Sequence, residues 1–152
     1  MAILHLMVGI QGSGKSTYSK KLRDQYGYKI ISSDEVRIIH PDWEESKIFP
    51  EVYRLCAIEL KEGRDVIFDA TNITPKVRAR NINLVREIFN DFEVYAYFIN
   101  TDKELCKERV LKRNNMEGEL FLPIEVIDSY YNNLVPPSLE EGINKVIVIN
   151  ND

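Results

Sequence analysis

The chain has 152 residues, which suits one domain with one core, and its net charge of −4 argues against a broad, sequence-blind nucleic-acid surface. Hydrophobic residues make up 44% and charged residues 29%, an ordinary globular composition, and no stretch approaches the length of a membrane span. The two cysteines, Cys56 and Cys106, lie among apolar neighbours and read as buried free thiols; no Cys/His spacing points to zinc.

The first expected element is a buried strand, Ile3 to Val8. It has neither a basic leader nor a cleavage-type tail, so it reads as strand and not signal peptide, and the expected compartment is the cytoplasm. It runs into Gly9-Ile10-Gln11-Gly12-Ser13-Gly14-Lys15-Ser16-Thr17, which fits G-x-x-x-x-G-K-[ST]. Glycines let such a loop take positive φ and approach an anion closely, and the amides over Gly12, Ser13, Gly14, Lys15, Ser16 and Thr17 can nest phosphate oxygens. Lys15 suits the β- and γ-phosphates of a nucleotide, and the Ser16 hydroxyl suits Mg2+. The motif needs a helix after it; Tyr18, Leu22 and Tyr26 recur at helical spacing, and Gly27 is placed to end that helix.

Apolar, β-rich runs then alternate with helical patterns, which predicts an α/β chain with a central parallel sheet of about five strands. The second strand is expected near Lys29–Ser33, then a helix around 46–62 with Ile48, Val52, Leu55, Cys56 and Leu60, Pro50 near its first turn and Gly63 at its end. Val66-Ile67-Phe68 is the third strand and ends at Asp69. Pro75 opens the next helix, with Ile82, Val85, Phe89 and Phe92 on one face. The fourth strand is Val94–Ile99. Thr101 and Glu104 form a capping-box pattern that starts a helix through about Asn114. Asn114 to Leu122 reads as a loop. Pro123 opens a helix with Ile127, Tyr130 and Leu134 on a stripe, Pro136-Pro137 stops it, and Lys145–Ile149 is the last strand.

In an open parallel sheet, ligands sit beyond the carboxyl ends of the strands. That rule selects Ser33 and Asp34, Asp69 to Asn72, and Asn100 to Asp102. Asp34 could accept the proton of an attacking hydroxyl, or only N-cap a short helix. Arg37, one turn on, would lie beside it and could hold an anionic group of the acceptor. Asp69 could hold Mg2+, orient the acceptor, or only fix the turn at Thr71-Asn72. Arg109 and Arg113 share a helix face; they either cover the phosphates from a lid or form a solvated face paired with Glu104 and Glu108. Both histidines, His5 and His40, read as structural. Tyr130 or Tyr131 could reach the cleft.

Together, Gly9–Thr17, Ser33-Asp34-Glu35-Val36-Arg37, Asp69-Ala70-Thr71-Asn72 and the Arg109/Arg113 pair resemble the P-loop kinases of the polynucleotide kinase and zeta-toxin-like group. The similarity covers nearly the whole chain and is greatest to 5′-hydroxyl polynucleotide kinase domains. It implies a three-layer P-loop NTPase fold, a single kinase domain over 1–152 and a small helical lid at about 109–126. By that resemblance Lys15 and Ser16 hold ATP and Mg2+, Asp34 is the general base, Arg37 binds the phosphate beside the accepting hydroxyl, and Arg109 and Arg113 are lid arginines. Ala70, standing between Asp69 and Thr71, departs from members that place the aspartate directly before Thr-Asn.

The function expected first is an ATP-dependent kinase acting on the 5′-hydroxyl end of a nucleic acid. The alternative is a small-molecule kinase of the same fold, acting on a sugar, nucleoside or antibiotic; a third is an ATP-binding module without transfer chemistry. The acidic charge favours the second, whereas Lys76, Arg78, Arg80 and Arg86 would give a local basic track for the first. Asn144-Lys145 lacks the aspartate of a guanine reader, which favours ATP. The sequence leaves the oligomeric state open.

Overall fold

The computed structural model describes residues 1–151. Its elements are β1 (Ile3–Val8), α1 (Lys15–Tyr26), β2 (Lys29–Ser32), α2 (Ser33–Ile39), α3 (Ile48–Lys61), β3 (Val66–Asp69), α4 (Pro75–Ile88), β4 (Glu93–Thr101), α5 (Lys103–Asn114), α6 (Glu125–Asn133) and β5 (Lys145–Asn151). The strands form one sheet in the order β2-β3-β1-β4-β5, every neighbouring pair parallel. Parallel neighbours need crossover connections, and the helices supply them.

β1 is central because its residues are apolar on both faces: Leu4, Leu6, Met7 and Val8 are all 0% exposed. Strand alternation sends Leu4, Leu6 and Val8 into a cluster with Val52, Cys56 and Leu60 of α3 and Ile82 and Val85 of α4. Met7 points the other way, to Leu22 and Tyr18 of α1. Helices thus cover both faces, as expected for a P-loop NTPase fold. Each such fully buried aliphatic side chain is worth about 1.5–3 kcal/mol. Among the described residues no helix is long and apolar enough to cross a membrane.

Several expected boundaries move. Tyr26 is exposed and stacks on Tyr28 at 5.1 Å, because Gly27 (φ 78°) reverses the chain there. Ser33 belongs to α2, not to β2; Ser32 caps that helix by accepting from the Glu35 amide at 3.3 Å. Phe89 and Phe92 lie beyond the end of α4, although both still pack on the core. Asp102, not Thr101, caps α5, accepting from Glu104 N at 3.1 Å. Thr101 is the last residue of β4, and its hydroxyl is engaged elsewhere. Pro123 precedes α6 by one residue at Ile124 and does not open it, and Leu134 is its C-cap. A short 3₁₀ turn at Leu139–Glu141, capped by Ser138, carries no apolar period and went unforeseen.

β4 and β5 run further than their apolar cores. Asn100 pairs with Asn150 and Thr101 with Asn151, so the backbone ladder continues through polar residues that hydrophobic patterning misses. α5 and α6 close over the loop after β1, burying Ile10, Cys106, Val110 and Ile127 in a third cluster.

Candidate active site

Gly9 to Gly14 form the turn between β1 and α1, and Lys15 to Thr17 open the helix. Gly12 has φ 78° and Gly14 φ 107°, backbone that a side chain rarely adopts. A Cβ on Gly12 would also lie 2.5 Å from the Cys106 carbonyl oxygen, so α5 packs directly on the loop. The loop carbonyls are tied down from outside. Thr101 Oγ1 donates to Ser13 O at 2.6 Å, Asn151 Nδ2 to the same oxygen at 3.2 Å, and Arg109 Nη1 to Gly12 O at 3.1 Å. Carbonyls held this way face away from an anion at the loop, although the Ser13 amide itself donates to Ile10 O at 3.2 Å. Ser13 is 0% exposed and its Oγ has no hydrogen-bond partner among the described residues.

Lys15 Nζ donates to Ile10 O at 2.9 Å, folded over its own loop. Ser16 Oγ donates to Asp69 Oδ2 at 3.3 Å. Burial pushes the Asp69 carboxyl above its ordinary range, with Lys15 and Ser16 opposing. Burial likewise pulls Lys15 below its ordinary value; Asp69 and Asp34 oppose that and Arg113 adds to it. Desolvation therefore favours the neutral forms of a cation and an anion that phosphates and a metal ion would restore to charge. A hydroxyl and a carboxylate beside an anion-binding loop fit Mg²⁺, which takes few protein ligands and completes its shell with phosphates and water.

The β2–β3 register sets the second half of the site. Ser32 pairs with Asp69, so Asp34, two residues on, lines the same cleft as Lys15. Since Ser32 is the cap, Asp34 is not needed as one. Arg37 Nη1 donates to Asp34 Oδ1 at 2.7 Å, as helical spacing required. Arg37 Nε also donates to Glu45 Oε1 at 3.0 Å, a partner not foreseen. Gly12, Gly14, Lys15, Ser16, Thr17, Asp34, Arg37, Asp69, Arg109 and Arg113 all line one cleft of about 1580 Å³. Arg109 and Arg113 are half-buried and line the cleft, Arg109 against the loop itself; Glu104 pairs with Lys107, and neither arginine has an ion pair among the described residues.

Two expectations fail and one open choice closes. Asn100 to Asp102 do not line the cleft: Asn100 joins Asn150 at 3.0 Å, Thr101 braces the loop and Asp102 caps α5. Asn72, open between fixing the turn and contacting ligand, does not line the cleft and holds the turn. It sits at φ 46°, 1% exposed, donating to Met7 O at 2.9 Å and accepting from Asn81 Nδ2 at 2.7 Å. The basic track also dissolves. Arg78 is 0% exposed, bound to Glu141 and donating to Asn72 O at 2.8 Å. Arg86 stacks over Phe92 at 4.2 Å and donates to Asn90 O, and of the four cations only Arg80 reaches the cleft.

The histidines are structural, as expected. His5 meets Tyr97 OH at 2.6 Å and Asp65 Oδ2 at 2.9 Å, and His40 stacks on Trp43 at 3.6 Å. Tyr130 reaches the cleft, whereas Tyr131 instead lies under Lys103. Phe49, Arg80, Thr101 and Asn151 are the site residues that sequence reasoning missed or misplaced. Asn151 acts across 138 positions, with no local pattern to mark it.

No curated protein matches the chain in sequence. Solved structures do match in fold. A candidate kinase from Chloroflexus aurantiacus J-10-fl superposes with TM-score 0.78 at 15% identity, over 98% of this chain and 88% of that one. A sugar kinase from Janibacter sp. HTCC2649 gives 0.69 at 19%, over 99% and 85%. The Mycobacterium tuberculosis APS kinase CysC, in complex with AMPPNP and APS, gives 0.63 at 18%, over 99% and 90%. At these identities the likeness establishes the P-loop fold. In sequence, residues 4–137 match the family model described as AAA domain, a span that holds the phosphate loop, Asp34, Asp69 and both α5 arginines, and the chain belongs to that family.

Proposed function

We propose that this protein is an ATP-dependent kinase that moves the γ-phosphate of ATP to a hydroxyl group of a small molecule. The observation that carries this reading is the convergence of Lys15, the Ser16–Asp69 pair and Asp34 on one cleft. Lys15 would leave Ile10 O for the β- and γ-phosphates. Ser16 and Asp69 would hold Mg²⁺, which supplies positive charge between the phosphates. Asp34 would take the proton of the acceptor hydroxyl as its oxygen attacks phosphorus in line. The new O–P bond forms on the acceptor, the bond to the β,γ-bridging oxygen breaks, and ADP leaves. Arg37 orients Asp34. Arg109 and Arg113, with the segment to about 126 as lid, stabilise charge on the transferring group. Residues 1–152 are read as one kinase domain.

Sugar and APS kinases on the same fold support a small acceptor. The second reading, a 5′-hydroxyl polynucleotide end, is favoured by the contact of Arg37 with Asp34. It is weakened by Glu45 on Arg37 and by the loss of the cationic track a strand would need. Labelled ATP offered with small alcohols and with 5′-hydroxyl oligonucleotides tests the choice. Transfer to small alcohols is expected. Transfer confined to oligonucleotide ends reverses it, and ATP binding with no transfer favours a binding module.

A further inference from the structure

Beside Asp34 the cleft is lined from α2, the start of α3, the entry and first turns of α4, and α6. Its walls are apolar: Ile38, Phe49, Ile73, Val77 and Tyr130. Ser33, Thr71 and Asn133 add neutral polar groups to the lining, and Thr74 Oγ1 caps α4, accepting from Val77 N at 3.2 Å. Two cations line these walls, Arg37 and Arg80. Arg37 is held by Asp34 and Glu45, whereas Arg80 has no ion pair among the described residues.

Arg80 follows Val77 by three positions, so both show one helix face to the cleft. Its guanidinium lies near enough to Tyr53 to draw that phenol down against the upward push of burial. Tyr53 packs on Phe49 with ring centroids 6.1 Å apart, which puts Arg80 beside the aromatic wall. Lys15 lines the cleft from α1 and Arg80 from α4, so the cleft offers a second cation from a different wall.

Resting on the kinase reading above, we propose that the acceptor is an alcohol on an apolar or aromatic body that carries one anionic group, and that Arg80 binds that group. The body would lie against Phe49, Val77 and Tyr130, with the hydroxyl at Asp34.

The test compares 4-(hydroxymethyl)benzoate, 1,4-benzenedimethanol and glycerol as acceptors, in the full chain and in Arg80→Ala and Arg80→Lys. KM for the benzoate should be at least about ten-fold below that of the neutral diol, the scale of one charge-assisted contact. Arg80→Ala should erase that difference and Arg80→Lys should keep part of it. Equal use of glycerol or the diol by the unaltered protein, or a preference that survives Arg80→Ala, overturns the proposal. Calorimetry with the protein saturated by a non-hydrolysable ATP analogue separates the two readings. Arg80-dependent benzoate binding without transfer sustains this inference and overturns the kinase. Transfer without anion preference does the reverse, and absence of both overturns both.

Discussion

Glu45 and Arg37, eight positions apart, face one another where the 3₁₀ turn before α3 meets α2, and the Arg37 guanidinium bridges from Glu45 to Asp34. Arg37 therefore acts on Asp34 from a fixed position. Its hydrogen bonds hold the Glu45 carboxyl below the usual carboxylate value of 4.5. A depressed acid contributes stability that is present above its unfolded pKa and is lost as pH falls through the folded one. Glu45→Gln should thus flatten the acid side of the stability profile, while costing less than about 1 kcal/mol near neutrality because the pair is largely solvated. Urea midpoints from neutral pH down to about pH 3 check both statements.

Lys15→Ala and Asp34→Ala should separate binding from transfer. The first should abolish ATP turnover and weaken nucleotide binding. The second should slow transfer about 10²–10⁴-fold, the range for a general base, while the affinity for ATP changes little. Calorimetry gives the affinities and single-turnover transfer gives the rate. Full transfer by Asp34→Ala would mean another base.

Gly12→Ala places a Cβ 2.5 Å from the Cys106 carbonyl oxygen at a residue with φ 78°. The left-handed backbone and the clash with α5 together should cost about 2–4 kcal/mol, lowering Tm by roughly 5–15 °C for a chain of this size. Calorimetric melting of the two proteins reads it directly. An unchanged Tm would show that α5 does not pack on the loop.

Arg78→Ala should destabilise the fold and leave nucleic-acid affinity where it was. The guanidinium, 0% exposed, holds Glu141 at 2.8 Å and the Asn72 carbonyl at 2.8 Å. Removing one partner of a buried pair costs about 3–5 kcal/mol, since the other charge is left uncompensated. Denaturant unfolding gives the loss, and oligonucleotide binding measured alongside tests whether Arg78 belonged to a basic track.

His5 should make stability fall on mild acidification. Asp65 accepts from Nε2–H, and in the neutral imidazole Nδ1 is then the acceptor for Tyr97 O–H. Burial lowers its pKa from 6.5, and the hydrogen bond and charge of Asp65 only partly offset that. A histidine depressed on folding leaves the unfolded state binding more protons below 6.5, so stability is full above that pH and declines as pH drops toward the folded value. His5→Gln should remove that slope. Denaturation midpoints at a series of pH values measure it.

Asp69 was legible because Val-Ile-Phe-Asp carries its own signal, and Arg37 because helical spacing sets it one turn from Asp34. Asn72 and Arg78 were not legible as a structural network, since its hydrogen bonds reach Met7, Asn81 and Glu141. The Arg78 charge reads in sequence like that of Arg80, yet one is buried and the other faces the cleft. Only the rotation of α4 against the sheet separates them.

The order of strands and helices, the anion loop and the stops at Gly27 and Gly63 were set by the sequence alone, because each depends on backbone sterics and burial period over a few residues. Tertiary structure alone decided which charges are spent and which are free, and it assigned Thr101 and Asn151 to the loop. Side-chain pairing depends on neighbours brought together across the whole chain, and no local pattern encodes them.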